Sequence, residues 1–411
     1  MSGNGRTSAM APERAQNRKH AGSPLEVLLV FARLGFTCFG GPIAHIGYFR
    51  DEFVVRRRWL DERAYADLVG LCQFLPGPAS SQVGFSLGLM RGGYLGGLAA
   101  WLGFTLPSAI ALVLFAFGAS ALRDPAGNGL LHGLKLVAVA IVAQAVLGMA
   151  RNLCPDRQRA SIAALALILM TAVPGAIGQV GAIVLGGIAG LAVCRSNMGA
   201  IHGGGAMPIS RRMGVVFLIT FFVLLALAFM PVRPGVLALF SALYRSGALV
   251  FGGGHVVLPL LRNAVVVPGW VSDNTFLAGY GAAQAVPGPL FTFAAYLGAV
   301  AGVGPGGITG AAVALVGIFV PGILALMGTL PFWHELRARS GARAAMAGVN
   351  AAVVGLLGAA LYNPVWTSAV QSPADFAVAA TGFVLLIIWN APPLLVVLLC
   401  AIAGIELGLS V

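Results

Sequence analysis

The sequence predicts an all-α polytopic membrane protein made of two inverted-topology repeats with broken, re-entrant helices. Three observations predict it. The composition is apolar, the same glycine–proline marks occur twice along the chain, and the arginines fall where only re-entrant segments keep them on one side. Of 411 residues, 58% are hydrophobic and only 9% charged, whereas soluble domains carry about 25% charged residues. That balance excludes a soluble enzyme, a disordered chain and a disulfide scaffold. It provides for on the order of a dozen membrane segments of roughly 20 residues.

The elements follow in order. Residues 1–23 are polar and basic (Arg6, Arg14, Arg18, Lys19) and read as a disordered cytoplasmic tail; no short apolar region with a cleavage site stands there. Apolar segments follow at 25–49, 68–90, 94–120, 130–150, 160–174 and 177–194. A glycine-rich linker runs from Arg195 to Arg212, and a single span occupies 213–231. Six further segments lie at 237–262, 275–300, 305–332, 344–362, 375–389 and 391–410. The expected organisation is a tail over 1–23, a first repeat over 24–195, a linker with an inverting span over 196–235, and a second repeat over 236–411.

The two sets of six correspond. Phe39-Gly40-Gly41-Pro42 has its counterpart in Phe251-Gly252-Gly253-Gly254, each preceded six residues earlier by an arginine, Arg33 and Arg245. Trp59 matches Trp270. Gln73-Phe-Leu-Pro76-Gly77-Pro78 matches Gln284-Ala-Val-Pro287-Gly288-Pro289, and Gly103-Phe-Thr-Leu-Pro107 matches Gly317-Ile-Phe-Val-Pro321. The offset stays at 211–214 residues throughout. Internal duplication marks secondary transporters, whose sites lie at the repeat interface.

The net charge of +12 reads as topology, not as a nucleic-acid surface, because Lys and Arg in short loops set orientation. The clusters are the tail, Arg50 to Arg63, Arg151 to Arg159, Arg195 to Arg212 and Arg337 to Arg343. Placing all five on the cytoplasmic side makes 25–49, 68–90, 237–262 and 275–300 re-enter and leaves nine full spans. Thirteen plain crossings are the rival reading, and they put Arg50 to Arg63 outside.

A Gly-Gly-Pro or Pro-Gly-Pro break ends one half-helix and begins another. The new half-helix points free N–H groups and a positive dipole end at the break, which makes an anion site. A desolvated dianion costs several kcal/mol per charge. One helix end, worth about 0.3–2 kcal/mol, does not offset that alone, so several amides and an arginine are expected together. The candidate substrate-binding residues are Arg33, Gly40, Gly41, Pro42, Gln73, Pro76, Gly77, Pro78, Ser80 and Ser81 in the first repeat. In the second they are Arg245, Gly252, Gly253, Gly254, His255, Gln284, Pro287, Gly288 and Pro289. His45 and His255, just past the glycine breaks, are candidate proton carriers or added donors.

Several patterns carry nothing. Gly84-Phe-Ser86-Leu-Gly88 fits a nucleophile elbow but lies in an apolar helix. Gly302 to Gly307 fits a dinucleotide loop but follows no soluble strand. The five cysteines are scattered, with no CxxC. No catalytic residue, metal site, cofactor or nucleic-acid partner is expected. The expected partners are an oxyanion, the lipid bilayer, a coupling ion such as a proton, and a second copy of the chain as a homodimer.

These residues also carry a resemblance. Phe39-Gly40-Gly41-Pro42, Gln73 to Pro78 and Trp101-Leu-Gly-Phe104-Thr-Leu-Pro107-Ser108 resemble the chromate ion transporter family. Phe251-Gly252-Gly253-Gly254-His255 and Gln284 to Pro289 are similar to the C-terminal domain of that family. The resemblance covers residues 25–400. It implies a two-domain carrier of the bacterial inner membrane, with its N-terminus cytoplasmic, that exports chromate and confers chromate resistance. Gly254 departs from the pattern, standing where the first repeat has Pro42. The alternatives are a transporter of sulfate or another oxyanion, and an anion channel.

Overall fold

Ser, Asp and Pro at the helix starts fix the elements. The structure, a computed structural model, describes residues 22–39, 41–119, 125–173, 175–194, 209–251 and 254–409. The tail before residue 22, most of the linker (195–208), and Gly40, Gly252 and Gly253 lie outside the described residues. Among the described residues every regular element is helical. Ser23 caps α1 (Pro24–Thr37) by accepting the Glu26 N–H, and Pro24 supplies the pre-set first position. Next come α2 (Gly41–Arg50) and α3 (Glu62–Phe74), the latter capped by Asp61. α4 (Ala79–Ala119) folds sharply on itself at Gly92 and Gly93, whose φ is +65°.

The chain continues through α5 (Pro125–Leu153), α6 (Arg157–Ala172), α7 (Ala176–Val193) and α8 (Arg211–Phe229). The second half holds α9 (Val236–Ala248), a 3₁₀ turn (Gly254–Val256), α10 (Val257–Val265), α11 (Asp273–Ala285), a 3₁₀ turn (Leu290–Thr292), α12 (Phe293–Val300) and α13 (Gly307–Thr329). It ends with α14 (Trp333–Ala338), α15 (Ser340–Ala360), α16 (Pro373–Ile387) and α17 (Pro393–Leu409). Ser372 and Asp375 form a reciprocal capping box at the start of α16. Five helical runs, 79–119, 126–153, 211–229, 307–332 and 340–369, are long and apolar enough to cross a membrane.

Side-chain contacts show which segments cross and which return. The start of α1, the end of α2 and the tip of α4 meet on one face. The Gly22 N–H donates to the Arg91 carbonyl, and Arg91 pairs with Glu26 at 3.2 Å. Arg57 lies 4.0 Å from Glu26 and 2.6 Å from Glu52, and both guanidiniums sit over the Trp59 ring. The segment from 24 to 50 therefore enters and returns, as does the segment from 62 to 91. Thirteen plain crossings would set Glu26 and Arg57 on opposite faces. The same basic face carries Arg211, paired with Glu335 at 2.6 Å, and Trp333, whose indole N–H donates to Asp67.

The second repeat repeats this from the other side. The Trp270 N–H donates to the Val265 carbonyl and the Gly302 N–H to the Trp270 carbonyl, closing both hairpins at one level. Gly304 lies against Gly235, and Gly307 against Phe117 at the far end of α4. One ion pair clasps each hairpin at equivalent positions on opposite faces: Arg50 with Glu62 at 2.7 Å, and Arg262 with Asp273 at 2.8 Å. Glu62 raises the Arg50 guanidinium further above its already high ordinary value. The topology is inverted.

Close helix crossings at small residues hold the bundle, as membrane packing requires. Gly88 meets Gly96 across the hairpin of α4, and Gly298 meets Gly310 at the equivalent place in the second repeat. Gly129 and Gly133 of α5 pack on Gly404 and Cys400 of α17, and Gly186 and Gly190 of α7 on Gly348 of α15. Ser86 is fully buried within the first arm of α4, the wrong setting for a nucleophile elbow.

Candidate functional site: the junction of four helix breaks

All four marked positions interrupt helices. The interruptions separate α1 from α2, α3 from α4, α9 from α10 and α11 from α12. Left-handed backbone makes the turns, with φ of +79° at Gly41, +112° at Gly77 and +97° at Gly288, where a Cβ is strained. Pro107 and Pro321 leave their helices continuous. They pack instead on Gly35 of α1 and Gly247 of α9, which lets the breaks approach these long helices.

The breaks converge by cross-pairing between repeats. The Gly77 N–H donates to the Val250 carbonyl, and the Gly288 N–H donates to the Cys38 carbonyl, each at 2.8 Å. Donors and acceptors are equivalent in sequence, so the two bonds are mates about a pseudo-two-fold axis. Near that axis a Cβ on Gly254 would lie 2.9 Å from Pro42 Cγ. Pro42 and Gly254 hold equivalent positions, and only one of them has room for a ring. The Gly254 departure thus has a packing reason. The amides of Gly77 and Gly288, expected to face an anion, instead staple the repeats together.

The first repeat concentrates the polar groups. Ser80, Ser81, Gln82 and His45 are buried. His45 Nδ1 lies 3.4 Å from Ser80 Oγ. Gln82 Nε2 donates to the Pro76 carbonyl at 2.8 Å and, across the repeat boundary, to the Gly322 carbonyl at 2.9 Å. His45 Nε2, Ser81 Oγ, Gln82 Oε1 and Gln284 Nε2 are buried without a hydrogen-bond partner. Buried polar atoms are ordinarily paired, so such a set marks a place for a polar guest. The amides of Ala79, Ser80 and Ser81 precede the first intrahelical donor, Gln82, and have no carbonyl within their own helix.

In the second repeat, His255 Nδ1 is hydrogen-bonded to Tyr280 Oη at 2.7 Å, and His255 Nε2 approaches Gly41. After the Pro-Gly-Pro break Phe291 stands where the first repeat has Ser80, and Thr292, which stands where it has Ser81, turns its hydroxyl back onto the Pro289 carbonyl.

Three expected residues lie elsewhere. Arg33 is exposed on an outer stripe of α1 that includes Leu25, Leu29 and Phe36. The Arg245 guanidinium stacks 5.6 Å from the Phe229 ring of α8, towards the end of the bundle away from the break. Gln73 is exposed at the end of α3, while its counterpart Gln284 is half-buried. Helix rotation explains the first and third, since packing buries Phe31, Leu34 and Gly35 of α1 and Leu68, Leu71 and Cys72 of α3, turning Arg33 and Gln73 outward. The reading of the residues missed Gln82, whose partner is 240 positions away. The signal was present in an amide four residues past Pro78 that extends the Ser80-Ser81 pair into an apolar helix.

Comparison with known proteins agrees with this architecture. The family profile described as Chromate transporter matches residues 25–191 and 237–405, one match in each repeat. A chromate transport protein of Pseudomonas aeruginosa is 29% identical over 384 residues, covering 90% of this chain and 89% of that protein. A probable chromate transport protein of Synechococcus elongatus is 28% identical over 395 residues, covering 91% and 93%. An uncharacterized transporter of Methanocaldococcus jannaschii is 24% identical over 323 residues, covering 77% and 78%. No solved structure matches. Duplicated halves, inverted about four joined breaks and each matched separately, place this chain in the chromate transporter family, a family of membrane transporters and not of enzymes.

Proposed function

We propose that the protein is a secondary transporter that exports chromate across the bacterial inner membrane by alternating access, with the four-break junction as its binding site. The observation that carries the proposal is the cross-paired junction with unpartnered polar atoms beside it. A tetrahedral dianion needs several donors and a positive potential. The first-turn amides of α4 and α2, the hydroxyls of Ser80 and Ser81, the Gln284 amide and the imidazoles of His45 and His255 supply the donors. The half-helix ends supply the potential. Gly41, Pro42 and Gly254 let backbone approach the guest, and the two Pro-Gly-Pro breaks hold the repeats in register. Alternating access follows from inversion, since rocking one repeat against the other around a fixed site opens each face in turn.

The basic face is the cytoplasmic one on the positive-inside rule, which puts the N-terminus in the cytoplasm. Sulfate is the second substrate to consider, because its shape and charge are close to those of chromate. The test is uptake of labelled chromate into inverted membrane vesicles, with sulfate as competitor and an imposed proton gradient. The proposal requires saturable uptake. Flux that rises linearly with concentration identifies a channel, and sulfate displacing chromate at equal concentration makes sulfate the substrate.

A further inference from the structure

A second polar cluster lies away from the junction, near the face opposite the basic one. His132 of α5 sets Nε2 2.7 Å from Asp375 Oδ1 at the start of α16. The other Asp375 oxygen accepts the backbone N–H groups of Gln371 and Ser372, each at 3.0 Å. Asp375 is only 4% exposed. One turn further along α5, Lys135 is buried and donates to Asn274 Oδ1 at 3.2 Å. Asn274 opens α11, the half-helix that runs into the Pro287-Gly288-Pro289 break. Tyr280, on the same helix, holds His255 at the junction. A titratable pair on the outer scaffold is thus joined, through Lys135 and α11, to the substrate site.

We propose that His132 and Asp375 form the binding site for the coupling proton, taken up from the outer face and transmitted to the junction by α11. The ionised Asp375 carboxylate accepts from Nε2–H and leaves Nδ1 as the basic atom. Proton binding at Nδ1 changes the pair from net −1 to neutral. With Lys135 beside it, the cluster goes from neutral to +1. The added charge repels the Lys135 ammonium, and the Lys135 to Asn274 bond joins the start of α11 to α5, beyond the close crossing of Gly281 on Leu134. Among the described residues the neighbouring titratable and charged groups are few. α11 brings Asp273, already held by Arg262, and Tyr280, held by His255. α17 brings the buried Cys400 thiol, with Glu406 exposed further on, and the turn before α16 brings the exposed Tyr362. The described outer half of α15 brings none.

The device is one-sided. Arg63 stands in the first repeat where Asn274 stands in the second. Lys135 follows Gly133 by two residues, and the residue two past Gly348, the helix-packing glycine of α15, is the neutral Asn350. An exchanger with symmetric halves needs no such asymmetry. A carrier driven by a gradient of fixed sign uses one site, on the side from which the ion arrives.

The inference rests on the transport reading, and the experiment separates the two. The full-length protein is reconstituted in vesicles, and two fluxes are measured with labelled chromate: accumulation against an imposed pH gradient, and chromate–chromate exchange without one. A pH difference of about one unit is worth about 1.4 kcal/mol per proton, or about tenfold in accumulation. His132→Gln keeps an N–H donor for Asp375 and cannot titrate. It is expected to lose the gradient-driven accumulation while keeping exchange within about twofold of the wild type, well below the tenfold step. Asp375→Asn is expected to behave alike. A His132→Gln variant that still accumulates with the gradient overturns the proposal. So does one that loses exchange in proportion, since the pair is then structural. Wild-type exchange without any response to the gradient overturns the coupling site alone. A wild type that does neither overturns the transport reading.

Discussion

Replacing Gly77 by alanine isolates the stapling of the two repeats. Gly77 has φ of +112°, and a Cβ there would stand 2.8 Å from the Cα of Gly322, which is backbone of the other repeat and cannot swing aside. The left-handed conformation costs an L-residue about 1–2 kcal/mol. Ordinary contact begins at 3.4 Å, so the break must retreat by about 0.6 Å. That stretches the 2.8 Å bond from the Gly77 N–H to the Val250 carbonyl to the limit of hydrogen bonding. Losing that bond adds about 0.5–1.5 kcal/mol, for a total of about 1.5–3.5 kcal/mol against a net stability of order 5–15 kcal/mol. Gly269 is the matched control, with φ of +80° and nothing within 4 Å. Gly269→Ala carries the conformational term alone. The assays are thermal stability of the purified protein and chromate accumulation by cells at equal expression. Gly77→Ala is expected to lose both stability and transport, and Gly269→Ala to lose about half as much stability while retaining transport. Equal effects of the two substitutions would refute the reasoning, because the inter-repeat contact would then contribute nothing.

Further outcomes follow from other contacts. Gln82→Leu leaves the Pro76 and Gly322 carbonyls without their buried donor and is expected to cost about 1–3 kcal/mol and abolish transport; full activity would remove Gln82 from the junction. Arg33→Gln changes an exposed side chain on the outer stripe of α1 and is expected to leave chromate flux within about twofold, less than the roughly tenfold that 1.4 kcal/mol represents; a larger loss would return Arg33 to the site. In intact cells, a membrane-impermeant maleimide is expected to label Val267→Cys and spare Arg63→Cys, because these exposed positions lie on opposite faces; the reverse pattern inverts the assigned orientation. Asp156 caps α6, and bonds from the Arg159 backbone N–H and then its side chain hold the carboxyl below its ordinary value of 3.8. Its contribution is present above that value and lost as pH falls through the lower folded one, so Asp156→Ala is expected to lower thermal stability at pH 7 and to do so less in strong acid.

The breaks were legible in the sequence because glycine and proline act locally. A missing N–H or a left-handed φ interrupts a helix wherever it stands, and the repeat of such marks exposed the duplication. Re-entry was legible because Arg50 to Arg63 had to share a side with Arg151 to Arg159. The aim of individual side chains was not legible. Arg33 and Gln73 occupy the expected places along their helices but the wrong azimuth, which packing of neighbours sets. The use of the Gly77 and Gly288 amides was hidden for a related reason, since their acceptors, Val250 and Cys38, belong to the opposite repeat. Asp375 was hidden because it reads as a helix cap until His132, 243 positions earlier, is brought against it.

The paired clasps, Arg50 with Glu62 and Arg262 with Asp273, have a further consequence. Each is partly exposed, so added salt weakens it, the screening length falling from about 10 Å at 0.1 M to about 3 Å at 1 M. Because they look out into different compartments, ionic strength raised on a single side of a sealed vesicle weakens one hairpin tip and spares the other. Osmotically matched salt thus becomes a vectorial probe, acting on the hairpin tip of whichever side it is added, without any change to the chain.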